Sequence, residues 1–382
     1  MMFLAGYHRD PAANPAISPF ECEMRRRVWM FAVEYDVMMS YQLGMVSLLH
    51  RGVCDTRLPA NLRDVDFGPE GVGVARGKEE WTPILMELWH VRLVEVYGEI
   101  VRMSHSVVGA AKADLQELHG KLDGVRDALP NVLKEKPVSE SFVDPPDLIL
   151  DRFRLESLYL KGLCVLYRPF ISGADPAGYK TRCLDASLRL IECQIPVLEI
   201  AQPGGQLAPS AVFLARHVHD FNFAAMLLCY ELKRSSADEV AAKVADRGFQ
   251  TDKVRATILQ ACALYNVLGV TSSKARNALR AMERFLQQDA DNGLQAQTGS
   301  SGDAEASSDS NWVFRNAVAA GAFAMPADID FDYLAPFAAD TNGGLFDGSN
   351  ANGADQLFQD AMGAGYQMAP LPVLPTFKDP MT

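Results

Sequence analysis

Apolar residues recur at three- and four-residue steps in one segment after another of this chain, and no segment sustains alternation with β-branched and aromatic enrichment. A period of 3.6 lines one face of a helix and a period of 2 one face of a strand. The pattern predicts an all-α fold of about eight helices and disfavours enzymes built on a parallel sheet. Ser18-Pro19-Phe20-Glu21 marks the first start: Ser caps, Pro suits the first helical position, and Glu three residues after the cap closes a capping box. From there Phe20, Met24, Val28, Phe31, Tyr35 and Met38 form the predicted apolar stripe, with Gly44 as the stop.

Seven further helices and a loop follow from the same rules. The breakers Pro59, Asn61, Gly68, Pro69, Gly71 and Gly73 predict a long irregular stretch over residues 51–80. Helices are predicted from Thr82 to about Ser106, from about Ala113 to Leu129, and from Asp144-Pro145-Pro146 to Arg168-Pro169. Another covers Tyr179 to about Ile200 with a kink at Pro196. Residues 209–234 are apolar nearly all round in their C-terminal half and read as one central, buried helix. A pair over 252–269 and 272–289 is split by Gly269 and Thr271-Ser272.

Charge divides the chain. The 382 residues carry a net charge of −12, and 48% are hydrophobic, enough for a sizeable core. From residue 287 onward there are 13 acidic and 2 basic residues, so the tail holds nearly all of the excess and the body is neutral. A neutral body argues against binding nucleic acid by itself, since phosphate contact needs a basic face. The domain reading is a helical region over 1–289, a Gly/Ser/Asp-rich disordered linker over 290–310, a short docking helix over 311–325 and a disordered acidic–hydrophobic tail over 326–382. In that tail Asp328, Asp330 and Asp332 interleave with Phe331, Tyr333, Leu334 and Phe337, the composition of an amphipathic activation segment. Charge repulsion there would keep the aromatics available to an apolar groove of a coactivator.

Catalytic and metal constellations are sparse. Seven cysteines stand singly, with no Cys-x-x-Cys pair, and read as buried small hydrophobes in a reducing compartment. His217 and His219 are two apart and point to different helix faces, the wrong spacing for a metal. GVGVARG at 71–77 has Arg76 where a dinucleotide fingerprint needs its third glycine. Asp328, Asp330 and Asp332 leave one remote alternative, the acidic cluster of an all-α prenyl-transfer-type enzyme. No apolar run approaches the ~20 residues that cross a bilayer, and the first residues lack a signal-peptide pattern, so no membrane partner is expected.

One block stands out: GYHRDP at 6–11, SPFECEMRRRVWMFAVEYDVMMSYQLGM at 18–45, and LPANLRDVDF at 58–67. Together they resemble the signature of the fungal-specific transcription factor domain, the helical middle homology region of binuclear zinc cluster regulators, in its xylanolytic-activator-like branch. The matching residues are Gly6, His8, Arg9, Asp10, Arg26, Arg27, Trp29, Asp36, Ser40, Gly44, Leu58, Pro59, Asn61 and Asp64. LYRPF at 166–170 and CLDASLRLIECQ at 183–194 extend the likeness more loosely. The family's proline after the first helix is absent at Gly44-Met45-Val46.

The residues themselves suggest structural work. Arg25, Arg26 and Arg27 in the first turns of a helix oppose its dipole unless acids answer them. Glu21, Glu23, Asp36 and the Asp64/Asp66 pair are the candidate partners, and Trp29 reads as packing. The resemblance implies a non-enzymatic transcription regulator acting in the nucleus on RNA polymerase II genes. It also implies zinc and DNA contact in full-length members through an N-terminal six-cysteine module that these residues do not contain, and a homodimer. The chain is thus expected to be N-terminally truncated and to need no cofactor of its own. An alternative function is a helical domain that binds a small-molecule inducer or a partner, without its own DNA contact.

Overall fold

Residues 2–49, 51–104, 112–172, 177–237, 251–270 and 273–298 are described by the structure, a computed structural model. Among them are nine α-helices and one two-stranded ribbon. Helix α1 spans Pro19–Gln42 and begins as its sequence dictates. The Glu21 amide donates to Ser18 Oγ, and the Glu21 carboxylate accepts from the Ser18 amide, both at 3.2 Å. Gly44 ends the run with φ of +66°, a left-handed conformation that costs glycine nothing.

The buried side of α1 is not the predicted stripe. Of the stripe only Met38 is buried, and Met24 and Val28 are about 40% exposed, whereas Cys22, Trp29, Met30 and Val37, outside it, are buried. The helix is gripped on two sides, by the N-terminal segment and loop on one and by α2 on the other. No single 3.6-residue stripe describes such a contact. The loop that follows is ordered by polar contacts and short 3-10 turns, with strands β1 (Phe67–Gly68) and β2 (Gly71–Val72) paired antiparallel. Gly73 closes it, because a Cβ there would lie 2.7 Å from the Asp66 carbonyl oxygen.

Helices α2 (Pro83–Ser104), α3 (Lys112–Asp127), α4 (Pro146–Tyr167) and α5 (Tyr179–Ile200) start and stop within a few residues of the sequence signals. Pro196 is contained within α5. Residues 209–234 are not one helix: α6 (Ala211–Ala215) ends at Arg216, and α7 (Val218–Ala237) starts afresh. The break falls where His217 packs edge-on against Phe153 and Phe213. Helices α8 (Thr251–Leu268) and α9 (Ser273–Thr298) complete the order, and α9 continues past residue 289, where the sequence signals place its end.

Helix α4 is the axis. Nearly every residue from Leu148 to Tyr167 is buried, with α2 and α3 packed on one side and α5 on the other. Helix α5 then meets α7 and α8, and α1 lies on α2. Each fully buried leucine or phenylalanine in these layers contributes about 1.5–3 kcal/mol. Close approach is set by small residues: the Cβ position of Gly162 on α4 is 3.2 Å from Leu122 of α3, and that of Gly98 on α2 is 3.2 Å from Val37 of α1. Charges carried into α4 are paired, as buried charges must be. Glu156 accepts from Arg126 and Arg189 at 2.9 Å, and Lys161 meets Asp220 at 2.7 Å.

None of the seven cysteines is in a disulfide, and burial pushes the Cys164 and Cys262 thiols up to about 12. Among the described residues no helix is long and apolar enough to cross a membrane. The linker beyond residue 298, the docking segment 311–325 and the tail residues Asp328, Asp330, Phe331, Asp332, Tyr333, Leu334 and Phe337 lie outside the described residues.

Candidate functional site

Part of the signature, Gly6, His8, Asp10, Arg26, Arg27, Trp29 and Asp64, gathers at the N-terminal half of α1. Gly6, with φ of +75°, turns the N-terminal segment back so that His8 and Phe3 lie against Trp29, at ring-centroid distances of 6.4 and 5.8 Å. Asp10 is the hub. Its carboxylate accepts from Arg26 (Nη2 to Oδ1, 2.9 Å) and from Arg57 (Nε to Oδ2, 3.0 Å), and from the amides of Ala12 and Arg57 at 3.0 Å. Burial works to raise this carboxyl, but the Arg57 and Arg26 hydrogen bonds outweigh it and hold it well below the usual carboxylate range. Arg9 pairs with Asp55 at 3.0 Å on the surface.

Arg27 ties α1 to the loop. It donates to Glu23 at 3.1 Å, to Asp64 at 2.9 Å and to the Leu62 carbonyl at 2.9 Å, with its guanidinium over the Phe67 ring. Arg25 lies over Tyr7, 5.4 Å from the ring centre. Of the acids the sequence offered to the arginines, Glu23 and Asp64 meet Arg27. Glu21 caps the helix, and Asp66 pairs with Arg76 at 2.6 Å, which holds the Asp66 carboxyl at about 2. Asp36 serves a different partner: its Oδ2 accepts from Ser47 Oγ at 2.7 Å and from the Leu49 amide at 2.9 Å, binding the chain after Gly44 to α1. Ser40 and Pro59 are buried. Buried Asn61 donates to the carbonyls of Gly77 and Glu80 at 3.0 and 3.1 Å and accepts from Thr82 Oγ1. Asp10 as the partner of Arg26 went unforeseen, although both stand in the signature.

Between α1, α2 and the loop residues Leu49 and Cys54–Leu58 lies a pocket of about 80 Å³. Trp29, Met30, Val33 and Val91 contribute apolar lining, and Arg26, Arg57, Arg102, Glu95 and Glu99 bring charge to it. This is the usual make-up of a small-molecule site, an apolar surface with a few polar groups.

A second polar cluster was not legible in the sequence. Glu34 of α1 and Glu87 and His90 of α2 meet Arg154 of α4 inside the helix stack. His90 Nδ1 is 3.1 Å from Glu34 Oε1, and Arg154 Nη1 is 3.0 Å from Glu87 Oε1. Burial works to raise the Glu34 carboxyl, but the charges of His90 and Arg154 lower it below the usual range. Close by, Trp81 Nε1 donates to Asp151 at 2.8 Å, yet burial pushes the Asp151 carboxyl up to about 7. A Glu-x-x-His step on α2 was the one available signal, and it gains meaning only beside Glu34.

The chain is 31% identical over 287 residues to a Zn(2)-C6 fungal-type transcription factor of Macrophomina phaseolina, covering 73% of this chain and 38% of that protein. It is 30% identical over 286 residues to a fusarisetin A cluster transcription factor of a Fusarium species, covering 74% and 38% respectively. A Zn(2)-C6 fungal-type transcription factor of Monascus ruber is 30% identical over 243 residues, 62% of this chain and 30% of that protein. No family model matches the chain, and no solved structure matches it. The chain spans less than half the length of these curated relatives. Along about three quarters of its length, then, the chain belongs with a region of fungal transcription factors, two of these three relatives being named for the Zn(2)-C6 type.

Proposed function

We propose that these residues form the regulatory and activation part of a fungal transcription factor that controls RNA polymerase II transcription in the nucleus. The observation that carries this reading is the likeness of about 30% along three quarters of the chain to proteins named as such factors. DNA contact and zinc belong to the full-length protein, through a module of closely spaced cysteines; the seven cysteines here are too scattered to form one. The signature residues around Asp10, Arg26 and Arg27 serve structure, pinning the N-terminal segment and loop to α1. Residues 326–382 recruit coactivators through Phe331, Tyr333, Leu334 and Phe337, and the whole factor acts as a dimer. Neither role involves catalysis.

The full chain fused to a foreign DNA-binding domain tests this. It should activate a reporter in fungal cells and lose activation when Phe331, Tyr333, Leu334 and Phe337 are changed to Ala. A silent fusion that is well expressed and nuclear overturns the activation half.

The pocket beside Trp29 supports a second reading, in which an inducer with an apolar body and a polar or acidic end controls the factor. A ligand that binds only the folded state raises the melting temperature by mass action. The expected result is stabilisation by such a ligand that is lost in Val91→Trp, which fills the pocket.

A further inference from the structure

The Glu34, Glu87 and His90 side chains each offer one donor atom, and these atoms lie within 4.8 Å of one another, bracketing a common point. Glu87 and His90 are three apart and share one face of α2, while Glu34 faces them from α1. Carboxylate-rich metal sites in helical bundles are built from the same parts, a Glu-x-x-His step on one helix and a Glu from its neighbour.

The polar accounting is what singles out this cluster. Glu34 and His90 are each only 5% exposed. Glu34 Oε2 and Glu87 Oε2 are buried without a hydrogen-bond partner, and His90 Nδ1, also buried, has only Glu34 Oε1 close by, at 3.1 Å. Arg154 engages only Glu87 Oε1, which orients that carboxylate and leaves Oε2 free. Two buried carboxylates share one guanidinium here, and uncompensated buried charge is costly. A water molecule serves the oxygens and leaves the charge. A cation at the common point does both.

We propose that Glu34, Glu87 and His90 bind one divalent transition-metal ion, of the zinc type, that ties α1 to α2. Two carboxylates and an imidazole suit zinc or iron(II) better than calcium or magnesium, which take oxygen ligands throughout. Three protein ligands leave a fourth position for water, and the Glu87 and Arg154 side chains, 14% and 21% exposed, mark the way in. The site uses no cysteine and is separate from the zinc cluster that the relatives' names imply.

The test is cobalt(II), then zinc(II), added to the chelator-stripped full chain. Expected are one ion per chain, visible ligand-field bands without a thiolate charge-transfer band, displacement of cobalt by zinc, and a rise in melting temperature. Glu34→Gln and His90→Gln should each weaken binding by roughly 100-fold or more, since even an outer-shell partner is worth 10–100-fold. X-ray absorption of the zinc-loaded wild-type chain gives a reading that needs no variant: nitrogen and oxygen neighbours support the site. Sulfur neighbours, an unchanged affinity in folded variants, or no stoichiometric binding by the wild-type chain would each overturn it.

Discussion

Arg26 grips Asp10 with two prongs, Nε to Oδ2 at 3.2 Å and Nη2 to Oδ1 at 2.9 Å, across sixteen residues of sequence. A paired guanidinium and carboxylate is geometrically specific as well as strong. With Arg57 on the same carboxylate, this clasp joins the N-terminal segment, α1 and the loop after it. Asp10→Asn should cost on the order of 1–3 kcal/mol at pH 7, because both arginines lose a charged acceptor. The midpoint of urea unfolding checks it.

Acid should reproduce that loss. The folded-state values of Asp10 and Asp66 lie below those of an unfolded carboxyl, about 4. Their contribution is therefore complete above about pH 4 and is lost as pH falls through the folded-state values. The Asp66 share should disappear near pH 2, and Asp10→Asn should flatten the wild-type loss below pH 4. Unfolding midpoints between pH 7 and pH 2 decide this.

Asp151 works in the opposite direction. Burial raises its carboxyl to about 7, so between about pH 4 and 7 the folded chain retains a proton that the unfolded chain releases. Stability from this group is complete below about pH 4 and falls as pH rises to 7, by at most about 4 kcal/mol over three units. Asp151→Asn keeps an acceptor for Trp81 Nε1 and should abolish that slope, leaving the variant the more stable chain at pH 7. Melting temperatures of both chains at pH 5 and 7.5 measure it.

Gly98→Val should destabilise by about 1–3 kcal/mol, because its Cβ would arrive 3.2 Å from Val37 with further methyl groups behind it. Adding Val37→Ala should return part of the loss. A double-mutant cycle read by denaturant unfolding gives the coupling, and strict additivity would contradict the close α1–α2 contact.

Asn61 closes the loop from inside, so Asn61→Ala leaves the Gly77 and Glu80 carbonyls and the Thr82 hydroxyl without that partner. The expected cost is about 2–4 kcal/mol. Limited proteolysis should show new cleavage within residues 62–80 before the helices are cut.

Local signals carried the helical architecture a long way. Ser18 and Glu21 announce α1, the Pro145-Pro146 pair announces α4, and Gly178 and Gly269 stand at helix ends with positive φ. Such signals are legible because capping and turn chemistry act within four residues. The candidate sites were less accessible. Arg26 and Asp10 both stand in the signature, but nothing local in sequence joins them, and His90 meets Glu34 only across the α1–α2 contact.

The order of helices, most of their ends and the acidic tail follow from the chain itself, since periodicity, caps and charge are properties of neighbours in sequence. Which face of α1 is buried, why residues 209–234 break at Arg216, and which acid answers which arginine depend on elements brought together from far along the chain. Met24 and Val28 stay at the surface, while Glu34 goes inside beside His90 of α2 and Arg154 of α4. A buried charge is tolerable only where partners converge on it, and packing alone makes that convergence.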